Sequence, residues 1–308
     1  MQAPFNLTIL GSSAALPTSE KFPTAQVLNA LGRLFLIDCG EGTQHQLRAN
    51  KISVLRIDQI LISHLHGDHF FGLIGLLSSM SLLGRTKDLH LYAHSKIKEY
   101  IDFHTFFLDH NELSFKIVYH PLNFKNSQII FENKKLVVRS FPLKHSIPTC
   151  GFRFDEKPKP ANIIKEQISR YEIPLKEVKF IKDGADFVCT DGRVIPNEKL
   201  IIPAPAPRSY AYCSDTAYSP NIIEEIRDVN LLYHEATFLD KDRLKAINTQ
   251  HSTSMEAALI AKSACVSKLL IGHFSARYHN TEILLDEAKS VFKHAKEAKE
   301  NCIFKIGQ

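Results

Sequence analysis

Several features are scarce or absent, and each narrows what this chain can be. No apolar run reaches the roughly 18 residues needed to cross a bilayer, so no membrane-spanning helix is expected. Residues 1–10 lack a basic stretch followed by an apolar core, so no secretory signal is expected there. The six cysteines, Cys39, Cys150, Cys189, Cys213, Cys265 and Cys302, are scattered and never form a C-x-x-C pair. That argues against a disulfide framework and against a cysteine zinc site, and it fits reduced thiols in the cytoplasm. No repeat of solenoid length is present. Tryptophan is also absent, which decides nothing. A strong excess of one charge is missing too: 38 basic against 33 acidic residues give +5, compatible with an anionic partner without demanding one. The 308 residues, 44% of them hydrophobic, suffice for one large domain or two with a sizeable core.

What is present in density is ligand chemistry. Ser63-His64-Leu65-His66-Gly67-Asp68-His69 holds three histidines and an aspartate in six positions. Gln59-Ile60-Leu61-Ile62 before it predicts a short buried strand, and residues 70–83 after it predict an apolar helix. The run therefore sits at the carboxyl end of a strand, where α/β sheets present their chemistry. Neutral imidazole and carboxylate suit zinc and related divalent ions. His64 and His66 can grip one ion, and Asp68 with His69, past the turn at Gly67, a second. Two ions roughly 3.5–4 Å apart can hold a bridging hydroxide and clamp a phosphodiester in line.

Other strand ends repeat the theme. Leu34-Phe35-Leu36-Ile37 ends in Asp38-Cys39-Gly40, where Asp38 is either part of a strand-to-helix turn or an acceptor that orients a metal-bound histidine. His145 follows the strand predicted over 135–141 and is a candidate third nitrogen for the first ion. Asp215 ends the strand over 209–213, placed to bridge two ions. Strands over 117–119, 129–131 and 135–141 are expected to run antiparallel, and helices are expected over 95–108, 220–227, 255–264 and 282–299. Thr253 and Glu256 have capping-box spacing. Residues 155–183 are densely charged and broken by prolines, which reads as a solvated insertion or as a protruding arm touching a large anionic substrate. The inferred architecture is two similar α/β halves packed sheet to sheet, with the site along one edge.

Together these residues resemble the metallo-β-lactamase-fold hydrolases and, within them, the ribonuclease Z family of tRNA 3′-processing endonucleases. The ligand run alone indicates only the superfamily, which also includes lactamases, thioester hydrolases and phosphodiesterases. The narrower match rests on residues 36–44, Phe71-Gly72-Leu73, Ser214-Asp215-Thr216, His234-Glu235-Ala236-Thr237-Phe238, His251-Ser252-Thr253 and residues 273–278, in that order. The resemblance implies a four-layer αββα sandwich, a single domain over 1–308 with an inserted substrate-binding arm over 155–183. It implies two zinc ions per subunit: His64, His66 and His145 on the first, Asp68, His69 and His273 on the second, and Asp215 bridging. Asp68 would orient or deprotonate the attacking water, so that a metal-activated hydroxide attacks the phosphodiester. Glu235 and His251 would deliver a proton, and Arg277 would contact phosphate. The implied partner is a tRNA precursor, not DNA, and the implied form is a cytoplasmic homodimer. The loop over 17–24 keeps a lysine, Lys21, but not the family's arginine and asparagine. The alternatives are another phosphodiesterase of the same fold and an RNA-binding module that keeps zinc for stability.

Overall fold

The computed structural model describes residues 3–107 and 113–307. Two seven-stranded sheets form its body. In the first, Ile303–Lys305, Phe5–Gly11, Ala25–Ala30 and Arg33–Cys39 pair antiparallel, and Ile57–Leu61, Leu89–Ala93 and Ile117–Pro121 continue it in parallel. The second repeats that plan. Gln128–Glu132, Leu136–Leu143, Thr149–Glu156 and Ser209–Cys213 are followed by parallel Leu231–Glu235, Leu269–Gly272 and Ala295–Glu297.

The period of two along each strand builds the layers. Phe35 and Ile37 enter the core that also contains Phe152, Phe154, Tyr210 and Tyr212 of the second sheet. Their neighbours Leu34 and Leu36 join Leu73, Leu76, Leu77 and Met80 of the helix Leu73–Leu82 and Ile97 and Ile101 of the helix Ile97–Thr105. In the second sheet, Ala211 and Cys213 alternate with Tyr210 and Tyr212 and meet the helices Ser254–Ser263 and Glu282–Val291. Helix, sheet, sheet, helix is thus written in alternate residues, as expected for the four-layer sandwich. Each fully buried large apolar side chain contributes about 1.5–3 kcal/mol.

The ligand-bearing segment docks on the first sheet by backbone contact. Gly72 N–H donates to Cys39 O at 2.9 Å. A Cβ on Gly72 would lie 2.1 Å from Gly40 O, and one on Gly40 would lie 2.4 Å from Asp68 O. Only two glycines permit that approach.

Some expectations change. Ile117–Pro121 runs parallel to Leu89–Ala93 in the first sheet rather than antiparallel with the strands that follow. The helix expected over 282–299 stops at Val291, because Ala295–Glu297 pairs with Leu269–Gly272 and extends the sheet. There tertiary pairing overrides the helical propensity of a Lys-Ala-Glu-rich stretch. The stretch over 220–227 forms only a short 3-10 turn, Pro220–Ile222, before further turns. The helix expected over 95–108 spans Ile97–Thr105, and its expected end at residue 108 lies outside the described residues.

Most of the stretch 155–183 falls in a compact unit of its own. One compact unit comprises Met1–Asp155 and Arg208–Gln308, the other Glu156–Pro207. The second unit has its own core of Ile173, Ile181, Phe187, Ile195 and Leu200. Three of those five lie beyond residue 183, so the shorter segment could not close a core. No helix among the described residues is long and apolar enough to cross a membrane.

Candidate metal centre

Five strand ends deliver the site. Ile57–Leu61 runs out into His64, His66, Asp68 and His69. In the second sheet, Cys213 lies opposite His234 and Glu235 opposite Gly272. That register sets Asp215, Glu235 and His273 at the ends of three neighbouring strands. His145 follows Leu136–Leu143.

Two groups of donor atoms result. His64, His66, His145 and Asp215 form one, and Asp68, His69 and His273 form the other, each with its atoms within 4.8 Å of one another. In the first, His66 Nδ1 lies 3.1 Å from His64 Nε2 and 3.2 Å from His145 Nε2. Asp215 Oδ2 lies 3.5 Å from His64 Nε2 and 3.8 Å from His145 Nε2. In the second, Asp68 Oδ2 lies 3.5 Å from His69 Nε2 and 3.4 Å from His273 Nε2. Asp215 turns its other oxygen, Oδ1, to these two histidines at 3.3 and 3.2 Å. One carboxylate thus serves both groups.

The residues behind the donors fix which nitrogen faces inward. His69 Nδ1 donates to Asp38 Oδ2 at 2.8 Å, so the turn residue Asp38 takes the orienting place considered from sequence. Ser63 N–H donates to Asp38 Oδ1 at 2.7 Å, and Ser63 Oγ lies 3.0 Å from His64 Nδ1. His145 Nδ1 donates to Gln250 O at 2.9 Å, and Thr237 Oγ1 lies 2.9 Å from His273 Nδ1. Thr237 and Gln250 had no role in the sequence reading. Thr237 stands inside a noted motif, whereas Gln250 contributes only a carbonyl, which no side-chain pattern signals. Asp38, Gln250 and His273 all have positive φ, near 55–60°. Left-handed backbone costs a non-glycine residue about 1–2 kcal/mol and clusters at functional sites.

Electrostatics follow from burial and from neighbouring carboxylates. Burial, with His69 nearby, pushes His64 down to about 4, so it is neutral at pH 7. Burial lowers His66 and His145 as well. His69 is equally buried, but Asp215, Asp68 and Asp38 together raise it well above the ordinary histidine value. Burial opposes ionisation of Asp215, yet His273, His69 and His64 hold it well below the usual carboxylate range. Asp68 is likewise held low by His69 and His273 against its burial.

This arrangement fits divalent ions. His69 Nε2 and Asp215 Oδ1 are buried without a hydrogen-bond partner among the described residues. Each belongs to one of the donor groups or bridges them. Tetrahedral nitrogen and oxygen ligands at about 2.0–2.1 Å lie about 3.3–3.4 Å apart, close to the spacings here.

Beside the donors lies a second device. Glu235 is fully buried, and its Oε1 accepts from His251 Nδ1 at 2.8 Å, Thr216 N at 3.0 Å and Ser252 N at 3.1 Å. Its Oε2 accepts from Thr237 Oγ1 at 2.7 Å. The capping box of Thr253 and Glu256 fixes the helix start just after His251, as the spacing predicted. Burial works against charge on His251, but Glu235 outweighs it and raises the imidazole to about 9. His251 also lies near Asp215 and His273 as a third group of donors. A cavity of about 710 Å³ opens over all of this and is lined by Asp68, His145, Asp215, His251, His273 and Arg277, among others. Arg277 is exposed at its rim, with its guanidinium 4.9 Å from the Phe238 ring centre and Nε donating to Ser275 Oγ at 3.0 Å. Of the residues singled out from sequence, His66, Asp68, His145, Asp215, His251, His273 and Arg277 line this cavity, whereas His64, His69 and Glu235 are fully buried and do not line it. None of the remaining described histidines joins the donor groups, and His110 lies outside the described residues.

The profile of the family described as Anti-Pycsar protein Apyc1 matches residues 5–157. A ribonuclease Z from Bacteroides thetaiotaomicron is 46% identical over 97% of this chain and 95% of its own length. One from Phocaeicola vulgatus is 47% identical over 96% of each. Among solved structures, human tRNase Z, short form, superposes with a TM-score of 0.70 at 28% identity, covering 98% of this chain and 100% of that one. The metallo-beta-lactamase fold protein YhfI from Bacillus subtilis reaches the same TM-score of 0.70 at 18% identity over 99% of this chain and 100% of its own, a likeness of fold.

Two predictions follow from the groups behind the donors. Asp38→Asn should weaken binding of a divalent ion about 10–100-fold, measured by competition with a chromogenic chelator. An unchanged affinity would show that Asp38 does not orient His69. The second concerns His251 in the metal-free protein. Its folded value of about 9 exceeds the ordinary 6.5, so the pair with Glu235 stabilises the fold fully below pH 6.5. That contribution is lost as pH rises through about 9. Glu235→Gln should bring His251 back toward or below 6.5 in an NMR titration. Wild-type His251 titrating near 6.5 would contradict the pairing.

Proposed function

The chain belongs to the ribonuclease Z family, and from that premise we propose that it removes the 3′ trailer from tRNA precursors as a metal-dependent endoribonuclease. The products are a tRNA 3′ hydroxyl and a trailer 5′ phosphate. The observation that carries this reading is Asp215, whose two oxygens serve adjoining donor groups. Both groups lie under the cavity that His251 also lines.

We assign two zinc ions per subunit. His64, His66, His145 and Asp215 would hold one, and Asp68, His69, His273 and Asp215 the other. When bound, they supply Lewis acidity toward the phosphoryl oxygens and lower the pKa of water at the site. Asp68, kept ionised by His69 and His273, orients the attacking water and accepts its proton. His251, kept charged by Glu235, donates a proton to the leaving 3′ oxygen. Arg277 offers a planar fork of donors to a phosphate at the cavity rim.

The unit Glu156–Pro207 is assigned to tRNA, through shape and backbone contacts of the kind folded RNA allows. In this reading the enzyme works in the cytoplasm as a homodimer, and a monomeric mass by light scattering at working concentration would exclude the dimer.

Asp68→Ala should abolish trailer removal while leaving binding of the precursor measurable by filter retention. Retained cleavage would remove Asp68 from the mechanism. Asp155 pairs with Ser209 across the sheet, so residues 156–207 can be replaced by a short turn. That deletion should raise KM for a tRNA precursor at least tenfold more than for bis(p-nitrophenyl) phosphate. Equal effects on both substrates would rule out an RNA-holding role for the unit.

A further inference from the structure

The loop between Phe5–Gly11 and Ala25–Ala30 contributes Ala14, Ala15, Pro17 and Pro23 to the cavity wall. Ala15 N–H donates to Asp68 Oδ2 at 2.8 Å. That oxygen is also the one facing His69 and His273. Ala15 holds a φ of 59° to make this bond. A non-glycine residue keeps such a backbone only where its surroundings over-determine it, so some group must hold the loop.

Glu300, distant in sequence and half-buried, is in position to do so. Its Oε1 accepts from Ser12 N at 3.0 Å, Ser12 Oγ at 3.3 Å and Phe22 N at 3.0 Å, joining the two ends of the loop. Its Oε2 accepts from Gln46 Nε2 at 3.4 Å, and that amide also donates to Leu10 O at 2.8 Å. Ser12 O in turn accepts from Phe274 N at 2.9 Å, beside His273, and Ser13–Ala14 pairs with Phe274–Ser275. The carboxylate therefore ties the loop to the first sheet at a point where the loop also pairs with the segment after His273.

We propose that Glu300 is a positioning residue for Asp68: by pinning both ends of the loop it delivers the Ala15 amide to Asp68 Oδ2 and so fixes the carboxylate of the second donor group. A single backbone donor on Oδ2 sets the Asp68 rotamer and favours its ionised form. With the loop released, Asp68 can rotate away from His69 and His273. The proposal rests on the metal assignment made above for Asp68.

The test compares Glu300→Ala with Glu300→Gln, whose side-chain oxygen can still accept the Ser12 and Phe22 amides. Zinc affinity is read by chelator competition, and kcat and KM are read on bis(p-nitrophenyl) phosphate. Glu300→Ala should weaken one of two zinc ions about tenfold or more and lower kcat with little change in KM. Glu300→Gln should restore most of both. If Glu300→Ala fails to fold, Glu300→Asp, one methylene shorter, is compared with Glu300→Gln on the same readouts and should show the same loss. Zinc affinities and kcat unchanged in Glu300→Ala, or in Glu300→Asp where that variant replaces it, overturn the proposal. So does Glu300→Gln as impaired as the variant it is compared with, because charge rather than loop pinning would then be at issue. Wild-type protein that binds no zinc and cleaves no phosphodiester overturns the functional reading itself, and the assignment of Glu300 with it.

Discussion

The site depends on the Asp38 carboxylate, a buried charge shared by both sheets. It stands at the end of Arg33–Cys39 and accepts from Ser63 N, Ser63 Oγ, His69 Nδ1 and Tyr212 OH, the last at 2.6 Å from the second sheet. Burying an ionised carboxylate costs several kcal/mol unless its lone pairs are matched. Here the matching groups come from the ligand loop and from the facing sheet. Correct packing of the two halves and correct orientation of His69 are therefore satisfied together. Any slip of one sheet against the other would strand that charge.

The rest of the site follows from sheet register. Parallel strands set Asp215, Glu235 and His273 side by side, and the first sheet brings its loop of ligands against them. A cluster of carboxylates so close together is unfavourable in the absence of cations. These carboxylates raise His69 well above the ordinary histidine value, and His69 Nε2 and Asp215 Oδ1 have no hydrogen-bond partner among the described residues. Those are the features of a site organised around ions rather than around its own hydrogen bonds. The His251–Glu235 pair uses the same physics for a different end, since burial of a fully hydrogen-bonded glutamate keeps an imidazole charged beside the cavity.

Much of this was legible in the sequence. The run from His64 to His69 announces itself because the donors are contiguous, and Asp215 because it follows a strand, whereas His273 entered the ligand set only through the family resemblance. Asp38 was readable as one of two roles, and only its 2.8 Å contact with His69 decides between them. What escaped was supplied by backbone atoms or by distant partners. The Gln250 carbonyl and the Ala15 amide have no side-chain signature, and Glu300 sits in a lysine-rich stretch that looks like a solvated helix end. The strand Ala295–Glu297 was hidden for the same reason: its sequence favours helix, and only the open edge of the sheet makes it a strand. The expected arm ended at residue 183, where the charge density breaks, whereas Phe187, Ile195 and Leu200 join the core of the compact unit 156–207.

The most direct measurement is incubation of the zinc-loaded protein with a tRNA precursor carrying a 3′ trailer, with the cut mapped to the nucleotide. The account predicts a single cut next to the discriminator base, lost on chelation and restored by zinc. An intact precursor under conditions where the same preparation hydrolyses a small phosphodiester would contradict it, leaving the metal site in place but assigning it to another substrate.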